Sequence, residues 1–339
     1  MEQIYRIGAS GSRFRPFSES THVKARGYSR NLQRAICDFG ADHAFGQVNA
    51  KLQEHYGITV PSSASRHITE FHAHQMLVAD NLHSPKQNMA DIIIAESDGS
   101  MIPIVETQTI ENTDQTKTDR RKNKKLFWKE ARLSLAHAKD SVTPYFAATM
   151  GSVQEAGTQL LTCVNQVGAH EKTHVHCVGD GAVWIANQVE EKFGSNGTYL
   201  IDFYHLCDYL SAAAPRCAPG HEAVWMHQQK EAMKNSDYKA VLLALKPYVE
   251  SKKVEEKDAP VRACYRYINN RPKQLDYLSA QNQGLPIGSG EVESAHRYVL
   301  QKRLKIAGAW WDIDQAKSMI ALRVKRANQL WDQYWKKAA

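Results

Sequence analysis

The distribution of apolar positions changes character along the chain. Between residues 30 and 80, apolar side chains recur at helical spacing. The pattern predicts helices over Asn31–Phe39, over Ala41–Tyr56 with a stop at Gly57, and from Ser62 onward after Pro61. Short helices with tight turns fit a helix-turn-helix. Ser62-Ser63-Ala64-Ser65-Arg66-His67-Ile68 places small and polar side chains at a helix start, as a recognition helix does. A plain helical bundle accounts for the same pattern, and the two stay open here.

From Ala90 onward β-branched runs take over. Asp91-Ile92-Ile93-Ile94-Ala95 leads into Glu96-Ser97-Asp98-Gly99, then Met101-Ile102-Pro103-Ile104-Val105, which predicts two strands or one long bent strand. Leu126–Leu135 and Tyr145–Met150 read as further strands and Ser152–Gln166 as a helix. His174–Val178 is the next strand, followed after Gly179-Asp180-Gly181-Ala182 by a helix over Trp184–Phe193. Thr198–Phe203 is a strand running into a helix over Tyr204–Ala214. From Pro215 to Gln283 the text is helical, with Leu, Ala, Lys and Glu prominent, and reads as an inserted helical segment. The alternation of strands and helices predicts an α/β protein.

Composition adds bounds. Of 339 residues, 42% are hydrophobic and 23% charged, ordinary values for a globular protein. The longest apolar runs, such as Ile92–Ala95 and Ala240–Leu245, fall far short of the roughly 20 residues a bilayer crossing needs. Met1–Phe17 lacks the apolar stretch of a secretory signal, so a cytoplasmic protein is expected. The six cysteines are scattered without C-x-x-C spacing and read as buried thiols.

The net charge of +7 suits a polyanionic partner, and its distribution is uneven. Residues 297–339 hold ten Lys/Arg against three Asp, which equals the excess of the whole chain. Thr116–Arg132 is a second basic run, read as a solvated loop with phosphate contact as the alternative.

Carboxylates at the ends of rigid elements are what hard divalent cations need in phosphoryl-transfer chemistry. Asp98 and Asp180 each end a β-run before a glycine. Alone, such an Asp-Gly is ordinarily a turn. A third carboxylate comes from the segment Leu285-Pro286-Ile287-Gly288-Ser289-Gly290-Glu291-Val292-Glu293-Ser294-Ala295, where Ser289 reads as a helix cap and Glu293 projects from the first turns. An acidic first turn favoured by the helix dipole explains either glutamate without function, and Glu291 above all. His170, His174, His176 and Cys177 are the one cluster resembling soft-metal ligands, but no distant second pair completes a zinc site.

The string LPIGSGEVESA, followed by Gln301-Lys302-Arg303-Leu304-Lys305 and Gly308-Ala309-Trp310-Trp311, resembles the terminal block of ISKra-type insertion-sequence transposases. Gly179–Trp184 and Leu200–His205 resemble earlier blocks of that family, in the same order. The likeness runs from about Ser29 to the C-terminus. Many relatives begin with a longer, often cysteine-rich region, whereas this chain reaches its helical block within about thirty residues.

The resemblance implies a DDE transposase with an RNase H-like core and a helical insertion before the last carboxylate. The implied triad is Asp98, Asp180 and Glu293, holding two Mg²⁺ (or Mn²⁺) ions, with Glu291 in reserve. Asp202 and His205 match a D-x-x-H pattern, as metal-site orienting or structural groups. Arg297, Lys302, Arg303 and Lys305 would grip DNA, with Arg66 from the N-terminal helices. Trp310 and Trp311, with Trp331, Tyr334 and Trp335, read as packing the last helix more than as stacking bases.

The expected division is an arm over 1–29, a helix-turn-helix-like region over 30–85, the core over 86–205 and 285–339, and the helical insertion over 206–284. Expected partners are transposon ends and target DNA, with homo-oligomers forming on DNA, in a bacterial cytoplasm near the nucleoid and without membrane. The alternatives are a transposase-derived DNA-binding protein without activity and a metal-dependent nuclease that does not join strands.

Overall fold

The computed structural model describes residues 5–7, 12–14, 16, 20, 27–79, 89–107 and 124–337. The chain divides into two compact units. One comprises residues 1–81, 102–129 and 298–339, the other residues 82–101 and 130–297. A two-stranded antiparallel hairpin, β1 (Tyr5–Ile7) and β2 (Ser12–Phe14), belongs to the first.

In the first unit, α1 (Arg30–Asp42) starts where Ser29 Oγ accepts the Leu32 N–H. Helix α2 (Phe45–Tyr56) stops at Gly57, whose φ of 65° is left-handed and suits a residue without Cβ. Helix α3 is Ser62–Val78. Ile36, Val48, Leu52 and Val60 form the core between them. The penultimate helix of the chain, Ile313–Ala327, packs along α3. Trp335, in the last helix (Trp331–Lys337), is buried against Arg30 and His72, so this tryptophan does pack the C-terminus.

Arg303 departs from its expected place on a DNA-gripping face. Its side chain is 2% exposed, donates from Nε to Gly40 O at 2.8 Å, and lies over the rings of Phe45 and Trp311. The flat guanidinium can stack between aromatic faces, which makes it the one cation such a core tolerates. Lys302 is tied to Asp42 at 3.6 Å with its side chain half exposed, and Lys305 is exposed.

His72 is buried with both ring nitrogens engaged, Nδ1 2.8 Å from Tyr334 Oη and Nε2 2.8 Å from Gln33 Oε1. An amide oxygen only accepts, so Nε2 carries the proton and the tyrosine hydroxyl donates to Nδ1. Burial, followed by the nearby Arg30, pulls the histidine down to about 4. The folded state therefore takes up this proton later than the unfolded chain. Stability is expected to fall as pH drops from about 6.5 toward 4, by at most roughly 1.4 kcal/mol per pH unit. His72→Gln should flatten that stretch of the denaturation-versus-pH curve, and an unchanged slope would refute the assignment.

The second unit is built on a five-stranded mixed sheet in the order β5-β4-β3-β6-β7. Its strands are β3 (Ile92–Thr107), β4 (Lys124–Ala138), β5 (Tyr145–Thr149), β6 (His174–Gly179) and β7 (Gly197–Ile201), the outer ends of β3 and β4 being counted with the first unit. β4 and β5 are antiparallel, whereas β3, β6 and β7 are parallel. This order and polarity, with helices on the faces, is an RNase H-like α/β fold. β3 is apolar on both faces: Ile93 and Ala95 join the cluster under α4 (Val153–Gln166) and α5 (Val183–Phe193), while Ile94 joins that of the following helices. A buried parallel strand reads as a continuous hydrophobic run for this reason.

After β7 come α6 (Phe203–Cys217), α7 (Glu222–Lys234), α8 (Tyr238–Leu245), α9 (Pro260–Asn269) and α10 (Tyr277–Asn282), with no strand among these described residues. Leu206, Leu210, Val261, Cys264, Ile268 and Tyr277 form their common core with the sheet. Helix α11 (Gly290–Ala295) follows and runs into a π-helical stretch, His296–Gln301.

Two strand expectations need correction. β3 is one uninterrupted strand, so Asp98 lies within it and not at its end. The basic run, read as a solvated loop, overlaps the strand expected over Leu126–Leu135: its end, Lys124–Arg132, lies in β4, whereas 116–123 lie outside the described residues. Alternation of charged and apolar positions in a half-exposed strand resembles a solvated loop when only charges are counted.

Candidate metal-dependent phosphoryl-transfer site

Asp98 stands on β3 with Oδ1 accepting the next N–H, that of Gly99, at 2.7 Å. Gly99 faces the Glu130 carboxylate of the neighbouring strand, 2.2 Å from where a Cβ would stand, so a larger residue there would push that side chain aside. Burial pushes the Asp98 carboxyl up to about 6, the Gly99 bond works against that, and the charges of Asp180, Glu130 and Glu293 raise it further. The strongest charges acting on this group are thus all negative. His296 Nε2 lies 3.6 Å from Asp98 Oδ2.

Asp180 follows the last residue of β6, at the carboxyl end of the parallel strands. Its Oδ1 accepts the Ala182 N–H at 2.8 Å, which begins the turn into α5. Gly181 has φ of 85° and faces Tyr267 so closely that a Cβ would lie 2.5 Å from the hydroxyl. The loop is held by its backbone: Tyr267 Oη donates to Asp180 O at 2.6 Å, Arg271 Nε to Gly181 O at 3.0 Å, and Gly181 N–H to Tyr199 Oη at 3.0 Å. Tyr267 is itself stacked on Tyr209 with centroids 4.1 Å apart and lies under the Arg271 guanidinium.

The third carboxylate rides on α11. Ser289 precedes this helix but does not cap it. Its N–H and Oγ both donate to Asp202 Oδ2, at 2.7 and 2.6 Å. The N-terminal donors are taken by Glu96, whose Oε2 accepts the Val292 N–H at 2.7 Å. Glu96 is 1% exposed, and burial pushes it up to about 8 against those backbone bonds. Period-two alternation puts it on the same strand face as Asp98, a signal available in the sequence but masked by the apolar run around it. Glu293 is exposed and paired with Arg297, and its charge reaches Asp98. Glu291 instead lies 3.4 Å from His137 Nε2, and its charge reaches Glu96.

Asp202 has no oxygen left over. Oδ1 accepts the N–H groups of Tyr204 and His205, capping α6, while Oδ2 holds Ser289. His205 packs its ring against Tyr209 and Tyr267. Of the soft-ligand cluster, His174 Nε2 lies 3.1 Å from Thr198 Oγ1 and His176 Nε2 donates to Pro286 O at 2.8 Å. All six cysteines are buried free thiols.

Among the described residues no group of three His, Cys, Asp or Glu forms a ready-made metal cage. The donor set nonetheless fits Mg²⁺: hard oxygens, mutually repelling, with the triad spread over β3, the β6 end and α11. Such an ion keeps several waters and uses only one or two carboxylates plus substrate phosphates, so a site left open between its acids suits it.

The chain belongs to a family described as "Uncharacterised protein family (UPF0236)", whose model matches residues 142–336. No curated protein matches it. Among solved structures it is similar to the Drosophila P element transposase strand transfer complex, at 9% identity and a TM-score of 0.32, covering 95% of this chain and 84% of that one. No helix among the described residues is long and apolar enough to cross a membrane.

Proposed function

We propose that this protein is a DDE transposase of the ISKra type, cutting DNA and joining the freed 3′-hydroxyl to a target strand. The observation that carries this reading is Asp98, half-buried in the central strand of an RNase H-like sheet and pressed by Asp180, Glu130 and Glu293. Acids gathered around one half-buried carboxylate fit a divalent cation and, beyond it, a phosphodiester.

Asp98, Asp180 and Glu293 would hold Mg²⁺ or Mn²⁺, two ions per site. When bound, the metal supplies activation of the attacking oxygen and neutralisation of charge on the phosphate. The chain supplies position. Tyr267, Arg271 and Tyr199 fix the Asp180 loop, while Glu96 and Asp202 fix the approach and first turn of α11, which carries Glu293. Glu293 is preferred to Glu291 because its charge is the one that reaches Asp98. Arg297 and the exposed Lys302 and Lys305 would contact phosphates, as would Arg66, and DNA would bring copies of the chain together at paired ends in the bacterial nucleoid. Arg303 is not part of that grip.

The test uses DNA carrying the repeats that flank the gene, with Mg²⁺ or Mn²⁺, comparing the natural chain with Asp180→Ala. Joined products that vanish in the variant are expected. Cleavage without joining would make the protein a nuclease, and binding without either reaction would leave a DNA-binding remnant of a transposase.

A further inference from the structure

The first unit contains a cavity of about 250 Å³ that the proposed reaction does not use. Phe45, Trp310 and Trp311 line it with aromatic surface, and Arg303 and Gln315 contribute polar groups. Two of those groups are buried and lack a partner: Nη2 of Arg303, on a side chain 2% exposed, and Oε1 of Gln315. Each such orphan is a cost to the folded chain that a ligand can remove. The pair holds one donor and one acceptor on residues that line the cavity.

Charge narrows the occupant. Glu70 and Asp312 also line the cavity. Glu70 is held by Arg66 Nε at 2.8 Å, and Asp312 Oδ1 accepts the Asp314 N–H at 2.9 Å. Arg66 and Arg303 balance Glu70 and Asp312 in the lining, so the cavity carries no net positive charge to draw an anion into its interior. A neutral flat ring with an acceptor beside a donor meets every condition, and the Watson–Crick edge of every nucleobase carries that combination. Trp310 is 42% exposed and lies 6.2 Å, centroid to centroid, from Trp128, itself 55% exposed. These two exposed rings form an aromatic step at the cavity, of the kind on which unstacked bases settle.

We infer that this cavity receives one base of a DNA strand, turned out of its stack against Trp310 and hydrogen-bonded by Arg303 Nη2 and the Gln315 amide. The inference rests on the reading of this protein as a DNA-processing enzyme. Such a pocket selects DNA where a base is already unpaired or readily extruded.

The experiment measures binding of the full chain to a labelled duplex with a single-base bulge, to the same duplex with an abasic bulge, and to the fully paired duplex. The base bulge is expected to bind roughly tenfold tighter than the abasic one, the scale of one stacked base. Trp310→Ala should erase that preference and Trp310→Phe should keep it, both leaving the paired duplex bound as before. A preference that is missing, or that survives Trp310→Ala, overturns the pocket while leaving DNA processing intact. No binding to any of the DNAs overturns both readings. A free nucleoside bound as tightly as the bulged strand overturns the strand-borne base.

Discussion

Asp98→Asn should abolish metal-dependent cleavage and joining, by three orders of magnitude or more, and at the same time make the protein more stable. The first effect follows from removing a hard anionic ligand from a small set of acids. The second follows from the sign of its titration. A carboxyl pushed up to about 6 in the folded chain, from an ordinary value of 3.8, destabilises the fold progressively as pH rises between those values. That penalty is fully present at neutral pH.

Asparagine removes the charge and retains an oxygen for the Gly99 N–H. Because the Asp98 side chain is 35% exposed, solvent screens part of the gain, which we expect to be no more than about 1 kcal/mol. Mg²⁺ should raise the melting temperature of the natural chain and not that of the variant. Thermal denaturation with and without Mg²⁺, beside the joining assay, reads all three quantities. Full activity in the variant would remove Asp98 from the proposed metal site.

Arg323→Met is expected to be among the most damaging single changes outside that site. Arg323 is 7% exposed. Its Nε donates to Val299 O at 2.9 Å, its Nη1 to Ala41 O at 3.2 Å and to Asp42, and its Nη2 to Tyr298 O. Burial raises Asp42, yet Arg323, then Arg326 and Lys302, hold it below the ordinary carboxylate range. Methionine keeps the bulk and deletes every donor, leaving three carbonyls and part of a carboxylate unpaired. Breaking such a network costs about 3–5 kcal/mol, a fall in melting temperature of roughly 10 °C. Adding Asp42→Asn should recover part of the loss, since less charge is then left stranded. Arg297→Met, on an exposed pair, is the control and should leave melting unchanged. A loss under about 1 kcal/mol for Arg323→Met would show that water replaces its bonds.

The elements with strong periodicity were legible. The Ile92–Ala95 run, the strand before Gly179-Asp180-Gly181 and the helical stretch after β7 all stand where pattern places them, with ends shifted by a few residues. What escaped was decided by partners distant in sequence. Asp98 reads as a strand end because Asp-Gly ordinarily turns, but β3 runs on through the pair, held by its neighbours in the sheet. Ser289 reads as a cap because capping is local, whereas Glu96, almost two hundred positions earlier, does the capping. Arg303 reads as a surface cation because nothing nearby in the chain reveals that Phe45 and Trp311 enclose it. Tyr267 and Arg271 carry no signal at all, since a tyrosine near a helix end and an arginine just past it are common in any helical segment.

Asp202 accepts bonds on both sides of the insertion, from Tyr204 and His205 at its beginning and from Ser289 just after its end, and Phe203 N–H donates to Ile287 O at 2.8 Å. The excursion of the chain through α6–α10 therefore departs and returns through one buttoned gap. Its descendants can be lengthened or trimmed at the exposed turn around Ser251–Lys253 without altering how far apart the two lips of that gap stand. The stretch carrying Tyr267 and Arg271 is denied this freedom, because it holds the Asp180 loop. Lineages that diverge in this protein should accordingly differ in size at that turn and agree at the button, and domains grafted there should be carried as passengers.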